Sequence, residues 1–162
     1  MRIIRDYDYV DRSDTNAVAA IGNFDGVHLG HQAVLKKVHT IAKELNAPRG
    51  VITFEPHPRS YFAPDAPSFR LMSSSAKATR LEKLGVDKLY ELNFNAALSK
   101  LNPEEFARNV LYNGLRLRHI LVGEDFCFGK DRKGNVQTLK RLGNDLGFGV
   151  TSLELIKGEY GE

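Results

Sequence analysis

The stretch from residue 18 to residue 45 constrains the fold most strongly, because it joins a buried-strand pattern to an amphipathic helix through a short glycine-bearing turn. The run Val18–Ile21 is wholly apolar and ends at Gly22. Beyond the turn, apolar residues recur at helical spacing: Leu29, Val34, Val38, Ile41 and Leu45. This order predicts a strand, a tight turn and a helix over 29–45 whose N-terminus faces the end of the strand.

The same alternation of strand and helix patterns recurs to the end of the chain. Further strands are predicted over 50–54, 87–94, 119–123 and 148–156, with a helical pattern before each of the last three. Such alternation predicts an α/β protein with a Rossmann-like, five-stranded parallel sheet and helices on both faces. Residues 1–16 are expected to form a lead-in outside the sheet.

Two histidines follow the first predicted turn. His28 and His31 are three residues apart, so on a helix they share one face. Backbone amides of the turn, the positive end of the helix dipole and two imidazoles then surround one point, which favours a polyphosphate. Gly22 and Gly26 are expected to allow a sharp turn and close ligand approach. Gly30 costs about 1 kcal/mol in a helix, which indicates that a side chain there would collide with a close neighbour such as the ligand.

A pair of histidines at this spacing has other interpretations. It resembles part of a metal site, but two ligands are too few and no Cys or His cluster in the sequence completes it. A single histidine at a helix start is commonly a capping or surface residue. The segment also lacks the Walker A pattern and the dinucleotide-binding glycine pattern. We therefore predict a phosphate-binding corner without a protein-bound metal.

Two later loops also follow predicted strands. The prolines of the segment 55–58 prevent strand or helix from continuing there. The segment 130–134 carries three cations between glycines, including Lys130 and Arg132, and is expected to be a mobile loop that covers phosphates; an ordinary solvated turn is the alternative. Because parallel strands end at one edge of a sheet, all three loops are predicted to converge on one site.

The segment from Gly22 to His31 reads G-N-F-D-G-V-H-L-G-H, which resembles the nucleotidyltransferase signature with its H-x-G-H core. The version with N-F-D-G is similar to that of bacterial FAD synthetases, the FMN adenylyltransferase half of bifunctional riboflavin kinase/FAD synthetase. Three later stretches support the resemblance: T-F-E-P-H-P at 53–58, L-N-P-E-E-F at 101–106 and V-G-E-D-F-C-F-G at 122–129. It extends along the whole chain.

This resemblance implies transfer of AMP from ATP to FMN with Mg²⁺, giving FAD and pyrophosphate. The histidines His28 and His31 are the expected catalytic residues. The nucleotide-binding candidates are Gly22, Asn23, Phe24, Asp25, Gly26 and Gly30. The flavin-binding candidates are Pro56, Pro58, Phe62, Asp125, Phe126 and Phe128.

The sequence departs from the family pattern at its C-terminal end. Family members carry an S-S-T-x-I-R segment soon after the fifth strand, whereas this chain stops at Glu162 before any such segment. The riboflavin kinase domain is also missing, so residues 1–162 are expected to be a truncated adenylyltransferase domain of a longer parent. Two alternatives stay open: a nucleotidyltransferase for another phosphorylated small molecule, and a non-catalytic nucleotide- or flavin-binding fragment.

Composition limits the partners and the compartment. A net charge of +3 is too small to predict a nucleic-acid-binding protein, although it suits an anionic substrate. The single cysteine, Cys127, excludes an internal disulfide and is typical of a reducing cytoplasm. No apolar run reaches the 18 residues of a membrane-spanning helix. The expected protein is therefore cytoplasmic, with small-molecule substrates and no nucleic-acid or membrane partner.

Overall fold

The structure is a computed structural model that describes residues 1–22, 24, 29–56, 61–63 and 73–154. The strands within these ranges are β1 (Arg2–Ile4), β2 (Val18–Ile21), β3 (Arg49–Glu55), β4 (Lys88–Asn93), β5 (His119–Gly123) and β6 (Gly149–Leu153). They form one six-stranded sheet in the order β1-β4-β3-β2-β5-β6, and every pairing is parallel.

Helices cover both faces of this sheet, as predicted. They are α1 (Leu29–Leu45), α2 (Ser74–Lys83), α3 (Ala96–Ser99), α4 (Pro103–Glu105), which continues as a π-helix (Phe106–Tyr112), and α5 (Val136–Leu146). Val38 of α1 and Leu81 of α2 pack in one core cluster with Val51 of β3. Leu139 of α5 packs in a second cluster with Ile52, whose side chain points to the opposite face. The Rossmann-like α/β class is confirmed.

The predicted strand count of five was wrong, because the N-terminal lead-in contributes the edge strand β1. Its residues align with β4, Arg2 opposite Lys88 and Ile4 opposite Tyr90. Two adjacent isoleucines are too short a pattern to distinguish a strand from a loop. The partner strand lies more than 80 residues away in the sequence, so local periodicity does not reveal the pairing.

Local capping interactions define several of the helix ends. The Ser73 hydroxyl accepts a hydrogen bond from the Ala76 amide at 3.1 Å and caps α2. Asn102 and Asn135 each form a capping box at the start of α4 and α5. Gly147 ends α5 with a left-handed φ of 114°. These helix ends are therefore set by contacts between residues a few positions apart.

A buried carboxylate holds the edge strand in place. The Asp14 side chain is 3% exposed and accepts hydrogen bonds from Arg2 Nη2 of β1 at 2.9 Å and from Lys88 Nζ of β4 at 2.8 Å. Its backbone carbonyl accepts a third bond, from the Tyr90 hydroxyl at 2.6 Å. The hydrogen bond from Arg2 is the main cause that lowers the pKa of Asp14 to about 2, with Lys88 adding to it and burial opposing it.

We expect Asp14→Asn to lower the free energy of unfolding by about 2 kcal/mol at pH 7, because the variant loses charged hydrogen bonds to β1 and β4. The folded-state pKa lies below the unfolded value near 3.9, so the stabilisation is present above pH 4 and is lost as the pH falls towards 2. Urea denaturation of both proteins between pH 7 and pH 2 measures this difference, which should shrink over that window.

The matched control is Glu104→Gln, which removes an exposed i,i+4 ion pair with Arg108 (2.9 Å). Its effect on stability should stay below about 0.5 kcal/mol, because exposed pairs contribute little. Equal stabilities of wild type and Asp14→Asn at pH 7 would contradict the structural role of the buried carboxylate.

Candidate active site

The strand order locates a switch point at the carboxyl edge of the sheet. From β2 the chain proceeds through β3 to β4 on one side, and then returns to add β5 and β6 on the other. In open parallel sheets, ligands bind outside the carboxyl ends of the strands at such a reversal. The loops that begin at Gly22, Pro56 and Glu124 all leave the sheet at this edge. The predicted convergence of the three strand ends is therefore confirmed.

Phe24 determines the direction in which the chain leaves β2. Its side chain is 2% exposed, and its backbone φ of 55° lies in the left-handed region that bulky residues rarely adopt. Gly22 leaves space for this ring, since an added Cβ would lie 2.9 Å from Phe24 Cε2. Within the described part of the turn, Phe24 rather than Gly22 takes the left-handed conformation. The glycine is needed for close packing.

The described histidine of the pair lies against this ring. His31 is half-buried in the first turn of α1, with its ring centroid 4.9 Å from that of Phe24 and the two planes at 40°. The imidazole therefore lies at the helix N-terminus next to the switch point, as predicted. Gly30 belongs to α1. The other candidates of this segment, Asn23, Asp25, Gly26 and His28, lie outside the described residues.

Aromatic side chains connect the β3 loop to the β5 loop on the opposite face of the sheet. Successive ring centroids are 5.5–6.3 Å apart along the series, which we call the aromatic row: Phe62, Phe94, Phe54, Phe106, Phe128 and Phe126. Phe62 is 68% exposed and Phe126 is half-buried, whereas Phe128 is buried in the core. The two ends of the row are thus accessible to a ligand.

The remaining flavin candidates lie where the strands end. Pro56 is half-buried directly after β3, and Asp125 is exposed two residues after the end of β5. Pro58 lies outside the described residues.

The basic loop after β5 is a compact turn. Lys130 and Arg132 are both exposed within the short 3₁₀ segment Lys130–Arg132. The Lys130 amide donates to the Leu101 carbonyl at 2.7 Å, and Phe128 pairs with Gly134 through two backbone hydrogen bonds of 2.9 and 3.0 Å. These contacts hold the base of the loop and leave the cationic side chains in solvent.

Two buried polar residues at this edge escaped the sequence interpretation. Thr53 lies in the predicted strand over 50–54, and its hydroxyl is buried and has no hydrogen-bond partner among the described residues. Glu91 lies in the predicted strand over 87–94 and is buried on β4 beside Thr53. The available signal was a polar residue just before the end of an otherwise apolar strand.

A metal or membrane role has no support among the described residues. No group of three or more His, Cys, Asp and Glu side chains is placed there to hold a metal ion. None of the described helices has both the length and the apolar character needed to cross a bilayer.

The sheet order, the helices on both faces and the loops at the switch point define the class: the chain has a Rossmann-like α/β fold with a parallel sheet. Residues 10–161 match the model of a family described as FAD synthetase. The chain belongs to the FAD synthetase family.

Curated relatives agree with this assignment. A protein of Pseudomonas fluorescens is 39% identical over 157 residues, which cover 97% of this chain and 50% of the relative. A protein of Escherichia coli K12 is 34% identical over 155 residues, which cover 95% of this chain and 50% of that relative. Both are named bifunctional riboflavin kinase/FMN adenylyltransferase. The chain spans about half the length of the curated relatives it matches.

Solved structures support the fold alone, because their sequence identities are low. One titled as a macrolide-efflux protein from Streptococcus pneumoniae superposes with a TM-score of 0.80 at 24% identity, covering 99% of this chain and 51% of that one. The pantothenate synthetase of Thermus thermophilus superposes with a TM-score of 0.52 at 15% identity, covering 99% and 64%.

We expect Gly22→Ala to lower the free energy of unfolding by about 2 kcal/mol, since the added methyl group overlaps the buried Phe24 ring. The displaced ring should also change the NMR signals of the His31 imidazole that it contacts. Urea denaturation and histidine-selective NMR measure the two effects.

The control for this variant is Gly85→Ala at the end of α2, where φ is +93°. This variant should lower the free energy of unfolding by about 1 kcal/mol, because alanine is strained in a left-handed backbone, and it should leave the His31 signals unchanged. Unchanged His31 signals in Gly22→Ala would show that Phe24 does not set the position of the imidazole.

Proposed function

We propose that this chain transfers AMP from ATP to FMN, giving FAD and pyrophosphate. The observation that carries the proposal is the position of the segment G-N-F-D-G-V-H-L-G-H, which connects β2 to α1 at the switch point of a FAD synthetase family member. The names of the relatives support the same reaction. In this proposal the chain is one domain of a cytoplasmic protein that also carries a riboflavin kinase domain. It acts on small molecules and not on nucleic acid.

The reaction joins two anions in one displacement. A phosphate oxygen of FMN attacks the α-phosphorus of ATP in line, and the bond from that phosphorus to the bridging oxygen breaks as pyrophosphate leaves. Negative charge grows on the leaving group, so the site must supply donors that are already oriented. His31 lies at the N-terminus of α1, where it can serve as such a donor, and His28, three residues earlier in the sequence, is its proposed partner.

Magnesium is proposed as part of the substrate, carried on the phosphates of ATP, where it neutralises charge. This fits the described donor set, which contains no cluster of metal ligands. The side chains of the chain then bind the metal–ATP complex chiefly through phosphate oxygens, with the exposed Lys130 and Arg132 as further cations at the same edge.

The two substrates are proposed to occupy opposite sides of the sheet edge. The imidazole corner lies on the α1 side and suits the triphosphate. The aromatic row lies on the other side, where the accessible rings of Phe62 and Phe126 offer stacking surfaces for an isoalloxazine. Pro56, Pro58 and Asp125 are the proposed further contacts to the flavin.

We expect His28→Ala and His31→Ala each to slow FAD formation at least about a hundredfold, the equivalent of about 3 kcal/mol of transition-state stabilisation. Chromatographic measurement of FAD formed from ATP and FMN, with circular dichroism to verify the fold, tests this.

The matched control is His39→Ala, which removes an exposed imidazole further along the same helix and should retain the wild-type rate. Near-wild-type turnover in both histidine variants would remove the pair from the mechanism.

We expect Phe62→Ala to raise the KM for FMN about tenfold and to leave the KM for ATP unchanged, because an exposed stacking surface is lost. Stability should change by less than about 0.5 kcal/mol, since the ring is 68% exposed. Tyr9→Ala, at an 89% exposed position, is the control and should change neither constant.

A panel of phosphorylated acceptors separates the alternatives. Preference for FMN supports the proposal, whereas preference for another phosphorylated small molecule indicates a different nucleotidyltransferase. Binding of ATP and FMN without any transfer indicates a non-catalytic fragment.

A further inference from the structure

The buried hydroxyl of Thr53 is unpaired within the part of the chain that the structure describes. The residue lies near the carboxyl end of β3 with 1% of its surface exposed, and its Oγ1 atom has no hydrogen-bond partner among the described residues. Buried polar groups in native proteins are almost always paired, so each exception needs an explanation. A valine would fill the same volume without leaving a buried hydroxyl unpaired.

The neighbouring polar groups form hydrogen bonds with one another and not with Thr53. Thr53 is aligned with Glu91 of β4, so both side chains lie on one face of the sheet. The Glu91 carboxylate accepts hydrogen bonds from Ser74 Oγ at 2.6 Å and from Arg5 Nε at 3.3 Å. On the other side of β3, the β2 ladder ends at Ile21, and the next residue is Gly22, which carries no side chain.

The hydroxyl lies on the side of the sheet that carries the imidazole corner. Side chains alternate along a strand, so Thr53 shares the face of Val51, two residues earlier. Val51 belongs to the core cluster that contains Phe24 and Val38 of α1. The backbone next to β3 at this level is also that of the turn, because the Gly22 amide donates to the Ile52 carbonyl at 3.1 Å.

We propose that Thr53 is a positioning residue for the nucleotide, and this inference rests on the proposed function. Its hydroxyl gains a hydrogen-bond partner only when a triphosphate is bound between the carboxyl end of β2 and the N-terminus of α1, and it acts without touching the reacting atoms. The unpaired hydroxyl destabilises the free protein, and binding relieves this destabilisation. The residue thereby favours the bound arrangement and strengthens nucleotide affinity.

The test compares Thr53→Val with Thr53→Ser in the 162-residue chain. We expect Thr53→Val to be at least as stable as wild type when free, to bind magnesium–ATP about tenfold more weakly by calorimetry without FMN, and to keep its KM for FMN. Thr53→Ser retains the hydroxyl and should restore the ATP affinity to within about threefold of wild type. In Thr53→Val, the affinity for inorganic triphosphate should fall together with the affinity for ATP.

The matched control is Thr151→Val on β6. The Thr151 hydroxyl is already hydrogen-bonded to His119 Nε2 at 2.7 Å, so this variant should lose stability and keep its ATP affinity. Loss of ATP affinity without loss of stability in Thr53→Val, and the reverse in Thr151→Val, distinguish a ligand-linked hydroxyl from a structural one.

Four outcomes overturn the inference. An unchanged ATP affinity in Thr53→Val rejects the role, and so does a loss of stability or folding in that variant, which would show that the hydroxyl is already paired. A wild-type chain that binds no ATP overturns this inference together with the proposed function. Wild-type FAD formation with an unaffected Thr53→Val variant overturns this inference alone.

Discussion

The packing of the Phe24 ring over Gly22 fixes the point at which the chain leaves the centre of the sheet. Strand β2 is buried along its whole length and paired with β3 and β5, so its direction is set on both sides. The left-handed backbone of Phe24 costs about 1–2 kcal/mol, which burial of its ring offsets by about 1.5–3 kcal/mol. Because His31 contacts this ring, an apolar contact helps to position the imidazole.

The same edge of the sheet separates two kinds of surface. The α1 side carries helix amides and an imidazole, which attract phosphate, while the opposite side carries the accessible ends of the aromatic row. Under the proposed reaction, a nucleotide recognised by charge and a flavin recognised by ring stacking approach from different sides. Each surface then suits one substrate and is a poor site for the other, which helps to order two anions around one phosphorus atom.

The sequence predicted those features that depend on neighbours a few residues apart. The limits of α1, the caps at Ser73 and Asn135 and the C-cap at Gly147 follow from local hydrogen bonds. The pairing of β1 with β4 was missed, because it depends on contacts between distant residues.

For the candidate site as well, the sequence predicted what depends on local patterns and strand order, and not what depends on packing. The convergence of the loops followed from strand order alone, and the place of His31 followed from the helix limits. Packing decided the rest: the flavin candidate Phe128 is buried in the core, and Phe24 takes the left-handed backbone. No residue pattern distinguishes a paired hydroxyl from an unpaired one, as at Thr53.

The two edges of the sheet differ in how their buried polar groups are satisfied. At the amino edge, the Asp14 carboxylate is bonded to both Arg2 and Lys88, so this carboxylate is stable without any ligand. At the carboxyl edge, Phe24 has an unfavourable φ and Thr53 has an unpaired hydroxyl. Strained or unsatisfied groups persist only where the surrounding structure enforces them, and they concentrate at functional sites. Under the proposed function, the Phe24 backbone and the Thr53 hydroxyl, which has no partner among the described residues, both lie beside the point where three loops converge and support nucleotide binding at this edge.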